Sequence, residues 1–259
     1  MLSWSARRRI GYFAFVIAVL AVLGSAVYVF YKPAPSCSDG KQNGAELGID
    51  CGGSCARVCP LEVLPVQILW SRLFTVTPMA NGQSGNYDVG ALIKNPNLHH
   101  GTGAFPYTFK IWDEAGVLLS TRKGSAWLNP GEQLVVFEPR IAVGTRAPAR
   151  ADFEISAAPV WQKITGELPI LTIGKKNFTN LPTPRLDSSI KNDSLQNLGG
   201  FTVVAVLSDE AENAVAVSST YVESLPSGAT APLVFTWPAP LATPVTFIDL
   251  YPHLKLSSM

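Results

Sequence analysis

From Ile10 to Phe30 the chain carries no charged residue, and this run limits what the N-terminus can become. Phe13, Phe15, Val16, Ile17, Val19, Leu20, Val22 and Leu23 fall on every face of a helix, leaving no polar stripe for water. About 20 residues at 1.5 Å rise span a hydrocarbon core of about 30 Å. The run therefore predicts a transmembrane helix over residues 10–31. The buried helix of a soluble protein is the competing reading, and the basic triplet before the run argues against it. Tyr12 at one end, and Tyr28 and Tyr31 at the other, suit the two membrane interfaces. Arg7, Arg8 and Arg9 precede the span and only Lys32 follows it closely. Positive charge stays inside, so residues 1–9 are expected as a cytoplasmic tip, with the chain from about Lys32 outside. A cleaved signal peptide could use Gly24 and Ala26 as its small residues. The apolar run is longer than a signal core of about 7–15 residues and continues through Val27 to Phe30, past that cut. An uncleaved anchor is the expectation.

Four cysteines, Cys37, Cys51, Cys55 and Cys59, fall just beyond the span, in a segment over 32–62. An even number of cysteines in an exported stretch predicts two disulfides, with three pairings open. Leu47, Ile49 and Val58 are too few apolar residues for a core, so cross-links worth about 2–4 kcal/mol each would compensate. Asp39, Asn43, Glu46 and Asp50 lie between the first two cysteines, among Gly40, Gly44 and Gly48. Closely spaced oxygens on a glycine-rich loop suit calcium, although the spacing is not that of an EF-hand. The same residues equally suit disulfide-stapled turns, where Asp and Asn close the turn and Gly supplies positive φ. Four-cysteine zinc is the third reading; it lacks paired C-x-x-C knuckles and conflicts with an oxidising compartment.

The stretch Cys37-x-Asp39-Gly40-x-x-Asn43-x-x-Glu46-x-x-x-Asp50-Cys51-Gly52-Gly53-x-Cys55 resembles a cysteine motif that recurs in surface and secreted proteins of bacteria. The resemblance covers about 20 residues and implies an extracytoplasmic location, not an activity.

After Pro60 short apolar runs alternate with Gly, Pro and Asn turns, the pattern of an all-β sandwich. Tyr107, Phe109 and Ile111 share one face of a candidate strand, with Thr108, Lys110 and Trp112 on the other. Phe201 to Leu207 is more uniformly apolar and reads as a central strand. The body also repeats. Ile93-Lys94-Asn95 matches Ile190-Lys191-Asn192, and Asp113-Glu114-Ala115 matches Asp209-Glu210-Ala211. Leu128-Asn-Pro-Gly131 matches Leu225-Pro-Ser-Gly228, and Asp152-Phe153 matches Asp249-Leu250. The offset is 96 or 97 residues throughout. Leu64-Pro65-Val66 matches Leu168-Pro169-Ile170 at 104, and a loop-like insert at Met79–Gly85 accounts for the difference. Two tandem β-sandwiches, 63–163 and 164–259, are expected. The Asp-Glu-Ala steps should make hairpin turns, and the Pro-Gly and Ser-Gly steps second turns. This order of features resembles immunoglobulin-like domains of the LEA14 and FxLYD type. The resemblance implies binding or structural modules with no shared catalytic residue. The Cys-Trp-Cys pattern of antibody domains is missing.

The chemistry is sparse. His99, His100 and His253 are the three histidines, and His99-His100 sits in a polar loop. No nucleophile elbow, Walker loop or zincin helix occurs. The net charge of +1, with 15% charged residues, argues against nucleic acid as a partner. Trp70, Trp112, Trp127, Trp161 and Trp237 could line a carbohydrate face, or else serve the core. Asn177-Phe-Thr179 and Asn192-Asp-Ser194 are glycosylation sequons. The expected function is a noncatalytic, membrane-anchored cell-envelope protein with a protein or cell-wall polysaccharide partner. The alternatives are a polysaccharide- or ligand-binding surface protein, and an enzyme with an unrecognised acidic site.

Overall fold

The computed structural model describes residues 4–31, 35–77, 85–164 and 168–255. The expected insert at Met79–Gly85 lies, apart from Gly85, outside the described residues, as does part of the link between the halves. The chain divides into two compact units, Met1–Ser54 and Cys55–Met259.

In the first unit, helix α1 runs from Trp4 to Tyr31. The candidate span, Arg8–Tyr31, is 24 residues long and is uncharged from Ile10 onward. That is about 36 Å of helix, long and apolar enough to cross a membrane. Ser25 Oγ donates to the Val22 carbonyl at 2.8 Å, so the hydroxyl is satisfied within the helix. Residues 35–54 are turns. Asp50, Gly52 and Gly53 all take positive φ (53°, 72° and 56°), and a Cβ on Gly53 would collide with the Ala45 carbonyl oxygen. The Asp-Cys-Gly-Gly run is thus required by backbone geometry.

The second unit opens with a 3-10 turn, Pro60–Glu62. Its strands are β1 (Gln67–Thr77), β2 (Asn86–Lys94), β3 (His100–Thr102), β4 (Phe105–Trp112), β5 (Leu118–Ala126), β6 (Gln133–Ala142), β7 (Arg150–Ile155) and β8 (Trp161–Lys163). They continue with β9 (Leu171–Ile173), β10 (Asn177–Thr179), β11 (Arg185–Asn192), β12 (Phe201–Ser208), β13 (Ala214–Val222), β14 (Thr230–Thr236) and β15 (Phe247–His253). Sheet β1-β2-β6 packs against sheet β5-β4-β7 around a core that includes Val89, Ile93, Phe105, Phe109 and Leu134. Sheet β10-β11-β14, with β9 also on β11, packs against β13-β12-β15 around Leu186, Ile190, Val203, Leu207 and Phe235. The strand orders correspond: β1 to β9 with β10, β2 to β11, β4 to β12, β5 to β13, β6 to β14 and β7 to β15. All the pairings are antiparallel.

Alternation places the cores. On β4, Phe105, Tyr107, Phe109 and Ile111 point inward and are buried, while Lys110 and Trp112 are partly exposed. β12 is the middle strand of its sheet, as expected, and is buried on both faces. Its outward Val204 and Val206 join Phe74, Leu92, Val135, Ala214 and Val217 in a third apolar cluster. That cluster lies between the outer faces of β1-β2-β6 and β13-β12-β15, so the two halves pack side by side.

Candidate functional site

The repeated sequence motifs become repeated local structures. Asn95 and Asn192 are both fully buried at the ends of β2 and β11. Asn95 Nδ2 donates to the carbonyls of His100 (2.7 Å) and Asn129 (2.8 Å), and its Oδ1 accepts the Asn97 N–H at 2.9 Å. Asn192 Nδ2 donates to the carbonyls of Gln196 (2.7 Å) and Leu225 (2.9 Å), and its Oδ1 accepts the Ser194 N–H at 3.0 Å. Each amide thus closes its own loop and ties it to the following turn. The sequon at Asn192 is therefore a structural device, whereas Asn177 is exposed. At the other end, the Asp113 carboxylate accepts the Val117 N–H at 2.7 Å, and Asp209 accepts that of Asn213 at 2.8 Å. These are the expected hairpin turns, with Gly116 and Glu212 at positive φ. Both carboxyls are held below the usual range, first by those backbone N–H groups; Arg146 adds to the effect at Asp113.

All four cysteines are in disulfides. Among the calcium candidates, Asp39 Oδ1 accepts the Lys41 N–H (3.0 Å) and Oδ2 accepts Asn43 Nδ2 (2.7 Å). Both Asp50 oxygens accept the Gly40 N–H, at 3.1 and 2.9 Å, and Glu46 Oε2 accepts the Asn43 N–H at 3.1 Å. Every carboxylate of the set serves a turn. Hydrogen bonding to Asn43 is the main cause holding Asp39 below its ordinary range.

The histidines do not converge. His100 lies in β3, where burial lowers its pKa. His253, at the end of β15, sits between the halves. Its Nδ1 is 2.8 Å from Glu132 Oε1, and its ring lies 4.3 Å from that of Trp127. Asn129 Nδ2 donates to the Leu254 carbonyl at 2.8 Å beside them. At the opposite end Arg72 donates to Asn213 Oδ1 at 2.7 Å. The contact between the halves thus has an apolar middle with a polar clamp at each end. The sequence reading missed the Glu132–His253 clamp, since neither residue belongs to a repeated motif. A signal for the apolar middle was present: strands with Val204, Val206, Leu92 and Val135 outward break strict alternation.

None of the five tryptophans of the body is fully exposed. Trp70 packs on the cluster between the halves, Trp237 donates to the Val217 carbonyl at 3.1 Å, and Arg150 lies over Trp112. They do not form one platform. The carboxylates set deepest have partners: Asp113 has Arg146, and Glu138 accepts Tyr107 O–H (2.7 Å) and Arg122 Nε (2.9 Å). Burial, then Glu138, pushes the Tyr107 hydroxyl up.

A cleft of about 480 Å³ opens between the halves near Arg72, lined by Leu73–Val76, Asp88, Ala214–Val217 and Trp237–Thr243. Among the described residues that line it Asp88 is the one carboxylate; burial raises it, against a hydrogen bond from the Arg140 N–H at 2.7 Å. The chain matches no protein-family model and no curated protein.

Proposed function

We propose that this chain is a noncatalytic, single-pass, membrane-anchored cell-envelope protein whose body stands outside the cytoplasm. In this reading its two halves are copies of one immunoglobulin-like sandwich, joined into a rigid surface for binding, adhesion or scaffolding. The observation that carries the proposal is an apolar 24-residue helix followed closely by four cysteines, all in disulfides. Disulfides persist where the compartment is oxidising, and the charge asymmetry about the helix points the same way. Matching strand orders and the paired roles of Asn95 with Asn192 and Asp113 with Asp209 support the duplication. The buried cluster between the halves supports a fixed arrangement, because separating them would expose Val204, Val206, Val135 and Leu92. The four acidic and amide residues of the cysteine segment read best as turn residues.

A ligand-binding surface protein is the second reading, and the cleft beside Asp88 favours it. Asp88→Asn would abolish small-ligand capture in that case and leave partner binding intact in the first. The anchor is tested by washing membranes with alkaline carbonate. The protein should stay in the pellet with its N-terminal peptide, residues 1–31, recoverable by mass spectrometry. Release of a chain beginning near Ala26 would overturn the anchor.

A further inference from the structure

The cleft between the halves has walls that the chain itself holds in place. One wall is the edge strand β1, at Leu73–Val76, and another is β13, at Ala214–Val217. The third is the segment from Trp237 to Thr243, which follows β14. That segment is pinned at several points. Trp237 Nε1 donates to the Val217 carbonyl at 3.1 Å, and the Trp237 N–H donates to the Pro184 carbonyl at 3.2 Å. Asn180 grips the Leu241 backbone from both sides: its Nδ2 donates to the carbonyl at 3.0 Å, and its Oδ1 accepts the N–H at 2.9 Å. Pro238 and Pro240 fix φ in the stretch between. At about 480 Å³ the cleft is within the range of small-molecule sites, roughly 300–1,000 Å³.

The chemistry of these walls selects the ligand. Leu73, Pro238, Pro240 and Leu241 offer hydrocarbon, and among the described lining residues Asp88 carries the one charge. Asp88 Oδ1 accepts the Arg140 N–H, so backbone rather than a cation binds this carboxylate. Among the described residues no lysine, arginine or histidine side chain lies at ion-pairing distance from Asp88. Arg72, the cation near the cleft, donates instead to Asn213 Oδ1. Residues 78–84, which join β1 to β2, contain no basic residue that could serve. Burial raises the Asp88 carboxyl and outweighs the more distant charge of Arg140, so the negative charge is poorly compensated where it stands.

We infer that the cleft binds a small aliphatic amine as its ammonium ion, with the ammonium on Asp88 and the hydrocarbon along Leu73, Pro238 and Leu241. The inference rests on the ligand-binding reading above and names the class of ligand. An ammonium supplies the counter-charge that the carboxylate lacks, and a charge-assisted hydrogen bond with it. Thr75 and Thr243 also line the cleft, and their hydroxyls are acceptors for the remaining ammonium donors. A neutral alcohol leaves the Asp88 charge as it was, and an anion is repelled by it.

The test is calorimetric titration of the full chain in detergent with pentylammonium chloride, pentanol and pentanoate, each corrected for partition into detergent alone. The parent is compared with Asp88→Asn and Thr75→Trp, after their melting temperatures have been matched to it. Asp88→Asn removes the charge but keeps an oxygen for the Arg140 N–H. Thr75 is exposed at the cleft, and a tryptophan there narrows it without altering the carboxylate, so it carries the test should Asp88→Asn fail to fold. Pentylammonium should bind the parent at one site. Pentanol and pentanoate should bind weaker by roughly tenfold or more, and Asp88→Asn should lose roughly tenfold or more of the ammonium affinity. Thr75→Trp should weaken the ammonium as well. Pentanol binding as tightly as pentylammonium, or an ammonium affinity unchanged in either variant, overturns the inference. Binding of pentanol or pentanoate but not of the ammonium also overturns it and leaves the ligand-binding reading standing. Binding of none of the three overturns the inference, and the ligand-binding reading falls with it if a small-molecule library also contains nothing whose binding Thr75→Trp weakens.

Discussion

Replacing Asn95 or Asn192 with alanine tests whether the two halves are held by one repeated device. Each side chain is fully buried, and each makes two bonds to carbonyls and at least one to a backbone N–H. A buried hydrogen bond contributes roughly 1 kcal/mol net, and an orphaned buried partner costs about 1–3 kcal/mol. Three bonds lost, with carbonyls left in a crowded loop, give an expected loss of about 3–4 kcal/mol for either variant. In a body of this size about 1 kcal/mol lowers Tm by roughly 2–4 °C, so each substitution should lower it by about 10 °C. Thermal and urea unfolding of the full chain in detergent would measure both. Asn95→Asp keeps the shape but turns two donors into acceptors facing the His100 and Asn129 carbonyls, so it should be at least as damaging as alanine. A loss below about 1 kcal/mol in either alanine variant, or tolerance of Asn95→Asp, would refute the reasoning.

Val206→Asp places a charge in the cluster between the halves and should cost about 3–5 kcal/mol; solution scattering should show the halves separated with both sheet cores retained. Thiol labelling under denaturing, non-reducing conditions should find no free cysteine, and millimolar calcium should leave the melting temperature unchanged. A calcium shift abolished by Asp39→Ala with Asp50→Ala would instead establish a metal site. The carboxyls of Asp113 and Asp209 are depressed in the folded protein. Their stabilising contribution is therefore complete above the unfolded value near 3.9 and is lost as pH falls below it. Asp113→Asn should flatten the acid limb of the stability profile below about pH 4.

Much of this architecture was legible because its causes are local. The uncharged run from Ile10 to Phe30 dictates an apolar helix, and α1 includes it. The Asp-Glu-Ala steps dictated hairpin turns because Asp closes a turn onto its own backbone. The Ile-Lys-Asn matches located the ends of β2 and β11, although not that the asparagines are buried fasteners. What escaped the sequence depends on distant neighbours. Glu132 and His253 meet across 121 residues. Which face of Val204 and Val206 would be covered depended on how the halves pack, not on either strand. The tryptophans could not be assigned to core or surface until their neighbours were known. The oxygens of Asp39, Asn43, Glu46 and Asp50 looked free for a metal because a sequence does not show the turn N–H groups that three of these side chains bind.

The central claim is that residues from Lys32 onward stand outside the cytoplasm on an uncleaved helix. Protease added to intact spheroplasts tests it directly, with antibodies to the N-terminal tip and to the body. The account predicts digestion of the body while a membrane-protected fragment carrying the tip and α1 remains. Protection of the body until the cytoplasmic membrane is lysed would contradict it.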